Sequence, residues 1–139
     1  MGGYVEPSED ELRAIYADTT TIAVVGASAN PGKPAHTVPA YLQDVGFRIL
    51  PVNPRAEEIL GVQAYPRLED VPAPVDVVEV FRPAEEAPEI ARSAVAIGAK
   101  TLWLQEGIVS EDAAAIARAG GLRVVMGRCM RATHRALFE

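Results

Sequence analysis

The stretch Gly26-Ala27-Ser28-Ala29-Asn30-Pro31-Gly32-Lys33-Pro34 follows an apolar, β-branched run, TIAVV, and leads into a helical stretch. A strand, a loop of small residues and a helix start make an anion site. The first N–H groups of a helix have no intrahelical acceptor, and the helix dipole favours negative charge there by roughly 0.3–1 kcal/mol. Gly26 permits a tight turn and close approach of a ligand to the backbone. Lys33, one of only two lysines in the chain, adds a full positive charge just before the helix. Ser28 and Asn30 supply side-chain hydrogen bonds, while Pro31 and Pro34 stiffen the loop. The chemistry expected is phosphate binding. The plainer alternative is a strand-to-helix connection made of ordinary turn residues.

Other polar residues stand where apolar runs end. Asn53 lies between Val52 and Pro54, as a ligand contact or a turn residue. Arg82 follows Phe81 and precedes Pro83; it meets an anion or caps the next helix. Phe81 offers an apolar face and belongs partly to the core. Gln105, Glu106 and Gly107 close the run KTLWL. The two histidines, His36 and His134, lack metal-ligand spacing. No Ser-His-Asp set and no carboxylate pair is present, and Glu106 alone makes no mechanism. No catalytic or metal-ligating residue is assigned. The single cysteine, Cys129, has Arg128 and Arg131 nearby, which invites a reactive thiolate or a mixed disulfide. The expectation preferred here is a buried, inert thiol.

These residues need a scaffold. The chain has 139 residues, 49% hydrophobic, enough for one domain with one core. The net charge of −6 argues against a nucleic-acid binder. No apolar stretch is long enough to span a bilayer, and the acidic N-terminus does not read as a signal peptide. A lone cysteine suggests a reducing compartment, most simply the cytoplasm. Ser8-Glu9-Asp10-Glu11 is a capping box, so a short N-terminal helix is expected.

Strands are expected at TIAVV, FRILPVN, VDVVEVF, KTLWL and LRVVM, with a further short edge strand at VQAY and a helix seed at AEEIL. Helices are expected from between Pro34 and Val38 to Gly46, from Pro83 to Gly98, and from Ser110 to Gly120. Residues 129–138 are read as a terminal turn or helix. Continuous apolar strands alternating with helices call for a parallel sheet buried on both faces. The fold class expected is therefore α/β: a Rossmann-like, doubly wound sheet of five or six strands with helices on both faces. Strand order 3-2-1-4-5-6 follows, with a ligand crevice beside the first strand where the order reverses.

The commonest tenant of such a crevice is NAD. That reading wants three spaced glycines and an acid at the end of the second strand. The glycines are absent, and Asn53 and Pro54 stand in place of the acid. Arg55 leaves NADP less excluded. Taken in order, AVVGASANPGKP, PVNP, GVQAYPRLEDVP, VDVVEVFRP, WLQEG and VVMGRCMRATH resemble the small stand-alone CoA-binding domain family, over about residues 20–135. That family is similar to the CoA-binding domain of the succinyl-CoA synthetase α subunit.

The resemblance implies coenzyme A in the crevice. Gly26, Ala27, Ser28, Lys33 and Pro34 would form the phosphate loop. Val52, Asn53 and Pro54 would border the adenosine portion. Phe81, Arg82 and Pro83 would line the other wall, and Gln105 and Gly107 would face the pantetheine. Gly127-Arg128-Cys129 departs from the family's usual D-R-C, and the synthetase's phosphorylated histidine has no counterpart. The function expected is binding of CoA or a short acyl-CoA as a sensor, carrier or subunit module, with room for a protein partner, rather than as a stand-alone enzyme. Two alternatives remain: an NAD(P)-binding oxidoreductase or redox sensor, and a partner-dependent component of an acyl-CoA ligase.

Overall fold

The structure is a computed structural model and describes residues 3–72 and 74–139. Helix α1 spans Glu9–Ala17, and its capping box forms as expected: the Glu11 N–H donates to Ser8 Oγ, and the Ser8 N–H to Glu11 Oε1. Strand β1 (Thr21–Val25) leads through the glycine loop into α2 (Pro34–Asp44). Next come β2 (Arg48–Val52), a ribbon of β3 (Glu58–Ile59) and β4 (Val62–Gln63), and a 3-10 turn at Leu68–Asp70. Strand β5 (Val77–Val80) passes through a second 3-10 turn, Ala84–Glu86, into α3 (Ala87–Ala96). Then β6 (Thr101–Leu104), α4 (Glu111–Ala119), β7 (Arg123–Val125) and α5 (Met130–Phe138) complete the fold.

The main sheet is five-stranded and wholly parallel, in the order β2-β1-β5-β6-β7. Its central strands β1, β5 and β6 are buried on both faces, which accounts for their largely apolar runs. Ala23, Val78, Val80, Leu102 and Leu104 pack on one side against the alanine faces of α3 and α4. Ile22, Val24, Val77, Trp103 and Val125 pack on the other against α1, α2 and α5. The Trp103 indole N–H donates to the Arg128 carbonyl at 2.9 Å, so this large core ring leaves no unpaired donor.

Two local expectations are corrected. AEEIL forms no helix: Leu60 (φ 57°) and Gly61 (φ 74°) are both left-handed, which turns the chain back as a hairpin between β3 and β4. VQAY is not a sixth strand of the sheet. It reaches the β2 edge through one parallel bridge, Val52 to Tyr65, so the expected order 3-2-1-4-5-6 loses its first member as a full strand. Pro51 explains the brevity: on the outward edge of β2 its carbonyl accepts from Tyr65 N–H, but it offers no N–H in return.

One residue of the central strand breaks the apolar pattern. Glu79 is fully buried on β5, between Val24 and Trp103 in register, and neither carboxyl oxygen has a hydrogen-bond partner among the described residues. Burial pushes its carboxyl up to about 8.

Candidate functional site

Strand order reverses between β1 and β5, and the C-terminal ends of β2, β1 and β5 open into one cleft of about 780 Å³. The close approach of these ends depends on Gly26. Its φ is +87°, and a Cβ there would stand 2.8 Å from the Phe81 carbonyl oxygen and 2.9 Å from Arg82 Cδ. No other residue type fits that space and that dihedral.

The glycine loop is held by its own hydrogen bonds. The Asn30 N–H donates to Ser28 Oγ at 3.0 Å, and the Gly32 N–H to Asn30 Oδ1 at 2.9 Å. The Lys33 N–H donates to the Asn30 carbonyl and the Ser28 N–H to the Ala35 carbonyl, both at 3.1 Å. This last bond follows from a proline inside α2. Pro39 has no N–H to give the carbonyl four residues back, Ala35, so the loop takes that acceptor instead. His36 Nδ1 lies 2.7 Å from the Ser28 carbonyl, which can only accept, so the ring carries its proton on Nδ1. Among the described residues, the loop amides of Ala27, Ala29 and Ala35 keep no acceptor. Of these, Ala27 and Ala35 line the cleft.

Gly26, Ala27, Ser28, Lys33, Val52, Asn53, Pro54, Phe81 and Arg82 are brought together around the cleft. The Asn53 side chain faces inward to the protein's own backbone: Nδ2 donates to the Ala27 carbonyl at 2.9 Å, and Oδ1 accepts from the Arg55 and Ala56 N–H groups at 2.7 and 3.2 Å. Asn53 thus ties the glycine loop to the turn after β2. Arg82 donates to both carboxylate oxygens of Glu86, at 3.0 and 2.7 Å, and this holds the Glu86 carboxyl below the usual carboxylate range. Arg67 pairs with Asp70. Lys33 and Arg55 are the cleft's two cations without an ion-pair partner among the described residues.

Five residues named from sequence do not line this cleft, and one of them, Pro83, instead precedes the Ala84–Glu86 turn as its N-cap. Asn30 braces the loop through its side chain, and Pro34 opens α2. Gln105 is buried, its Oε1 accepting from the Met130 N–H at 2.8 Å to cap α5. Gly107 sits in the turn beyond it, with φ +84°. Cys129, half-buried at the start of α5, lies outside the cleft as well.

Sequence reasoning missed the far wall. The stretch Pro66 to Glu69 and one face of the α3 region, Glu86, Glu89, Ile90 and Ser93, complete the lining. The second set is spaced i, i+3, i+4, i+7, a helical face that the sequence does carry. Glu69 accepts a hydrogen bond from the Ser93 hydroxyl, which holds its carboxyl below the ordinary range. Among the described residues no cluster of His, Cys, Asp and Glu suits a metal ion, and no helix is long and apolar enough to cross a membrane.

The family model described as the CoA binding domain matches residues 20–135. The uncharacterized protein YneT of Bacillus subtilis (strain 168) is 38% identical over 92% of this chain and 95% of its own length. The ADP-forming acetate–CoA ligase II of Archaeoglobus fulgidus is 38% identical over 73% of this chain; the matched part spans 15% of the ligase. A hypothetical protein from Pyrococcus horikoshii OT3 superposes with a TM-score of 0.93 at 33% identity, over 100% of both chains. With nearly all of the sheet and its helices inside the matched region, the chain belongs to the CoA-binding domain family, and its sequence is related to the corresponding part of ADP-forming acetate–CoA ligases.

Proposed function

We propose that this protein binds coenzyme A, or a short acyl-CoA, in the cleft at the ends of β2, β1 and β5. One observation carries the reading: the amides of Ala27 and Ala35 and the cations Lys33 and Arg55, left unpaired among the described residues, line a single cleft. A pyrophosphate fits a helix N-terminus flanked by such charges. A ribose that itself bears a phosphate is spared a carboxylate at the end of β2, where Asn53 stands with its polar atoms turned to the backbone. Gly26, Ala27, Ser28, Lys33 and Pro34 make the phosphate loop, braced by Asn30. Val52, Asn53 and Pro54 border the adenosine, with Phe81 and Arg82 opposite. Gln105 serves the pantetheine end indirectly, by capping α5, and Gly107 faces that end from the turn after β6.

The role proposed is that of a cytoplasmic binding, sensor or subunit module with no chemistry of its own. A second reading draws on the ligase relative, of which this chain matches a small part: the protein supplies the CoA site to a partner chain that carries out acyl transfer. Calorimetry with CoA, dephospho-CoA, NAD and NADP side by side is the test. CoA is expected to bind most tightly, dephospho-CoA more weakly, and NAD least. Tighter binding of NAD or NADP than of CoA rejects the proposal. The second reading further expects ligase activity only when an ATP-binding partner chain is added.

A further inference from the structure

A peptide unit beside an anion site presents either its N–H or its carbonyl oxygen, and only the N–H attracts the anion. In a trans peptide these two groups point in opposite directions. Two successive carbonyls of the glycine loop are held by side chains from the flanking elements. Asn53, just beyond β2, donates from Nδ2 to the Ala27 carbonyl at 2.9 Å. His36, in the first turn of α2, donates from Nδ1 to the Ser28 carbonyl at 2.7 Å. The Ala27–Ser28 unit is fixed at both ends, because the Ser28 N–H also reaches the Ala35 carbonyl. The Ser28–Ala29 unit is fixed at one end only. Among the described residues its carbonyl meets His36, and its N–H, on Ala29, meets no acceptor. Ser28 lines the cleft and His36 does not, so the ring draws this carbonyl away from the ligand's side.

We propose that His36 is a positioning residue of the glycine loop: by holding the Ser28 carbonyl off the cleft it aims the exposed Ala29 N–H at a phosphate oxygen of the coenzyme. This rests on the reading that the cleft binds CoA. His36 itself touches no ligand atom in this role. Its neutral ring suffices, since the Nδ1–H supplies a hydrogen bond and no charge is needed. The ring is half-buried beside the loop, where water competes less for the bond. Without it the Ser28–Ala29 unit is free to turn over. Such a turn removes one donor from the phosphates and sets a carbonyl dipole against them.

The test is calorimetry with CoA and dephospho-CoA on wild type, His36→Leu and His36→Asn, with a melting curve for each. His36→Leu lacks the donor and is expected to weaken both ligands by the same factor, about tenfold, because both carry the pyrophosphate. His36→Asn places an amide N–H one bond from Cγ, as the ring Nδ1–H is, and is expected to restore most of the affinity. In wild type, CoA is expected to slow hydrogen exchange at the Ala29 amide, a readout that holds even where His36→Leu fails to fold. Undiminished affinity in His36→Leu, no recovery in His36→Asn, or an Ala29 amide indifferent to CoA overturns the proposal while leaving CoA binding intact. Failure of CoA to bind wild type overturns the reading beneath it as well, and the wild-type titration registers that outcome separately.

Discussion

Asn53 commits every polar atom of its side chain within the protein, so its place at the cleft is to shape the loop and not to touch a ligand with its amide. Lys33 is the opposite case: an exposed ammonium with no ion-pair partner among the described residues, on the residue that caps α2. Lys33→Ala is expected to lower CoA affinity by about tenfold, the scale of one lost charge-assisted contact, with the melting temperature unchanged. Calorimetry and a thermal melt together check this, and undiminished affinity would remove Lys33 from the phosphate loop. The sequence made both positions visible because strand ends and helix starts are visible. It did not reveal which side chains face the ligand and which face the backbone. Gln105 illustrates the difference: it stands at the expected strand end, but its acceptor is claimed by the first amide of α5.

At the scale of elements, α2 and the glycine loop work as one unit because of Pro39. A proline in the second turn of a helix normally costs about 3 kcal/mol through its missing N–H and its clash with the carbonyl four residues back. Here that carbonyl, Ala35, receives the Ser28 N–H instead. Pro39→Ala restores a competing donor inside the helix. The expected outcome is faster hydrogen exchange at the Ser28 amide and weaker CoA binding, without loss of melting temperature; unchanged exchange would show that the loop does not depend on the proline. The capped and periodic elements were legible beforehand: α1 from its capping box, β1, β5 and β6 from their apolar runs. The stretch 55–66 was not, because AEEIL reads as a helix until Leu60 takes a left-handed dihedral. That turn pairs β3 with β4, and the segment then reaches the main sheet through the bridge between Tyr65 and Val52, a tertiary contact that local sequence does not encode.

For the molecule as a whole, the notable term is Glu79. Its carboxyl rises from an ordinary 4.5 to about 8 because burial disfavours the charged form. Between those values the unfolded chain has released a proton that the folded chain retains. Unfolding therefore gains on folding as pH rises through that window. Stability associated with this residue is full below pH 4.5 and is lost as pH climbs toward 8. Glu79→Met, of similar volume and without charge, is expected to raise the melting temperature more at pH 8 than at pH 5. Melting curves of both proteins at both values decide it; an equal difference at the two pH values would show that Glu79 does not titrate in this way. Other titrating groups, such as His134, whose burial lowers its pKa, largely cancel in the comparison. The glutamate was plain in VDVVEVF and a sheet covered on both faces was expected, but the sequence could not show that no hydrogen-bond partner reaches its carboxyl among the described residues.

Pro51 has one more effect, at the margin of the sheet. Because alternate residues of β2 point outward, Pro51 removes one of the few donors along that rim, and the Asn53 N–H is already taken by the Tyr65 carbonyl. Ile49 is left as the lone outward donor of the strand. A foreign polypeptide seeking to extend the β-structure there would find almost nothing to bond with, so this boundary is protected from runaway assembly.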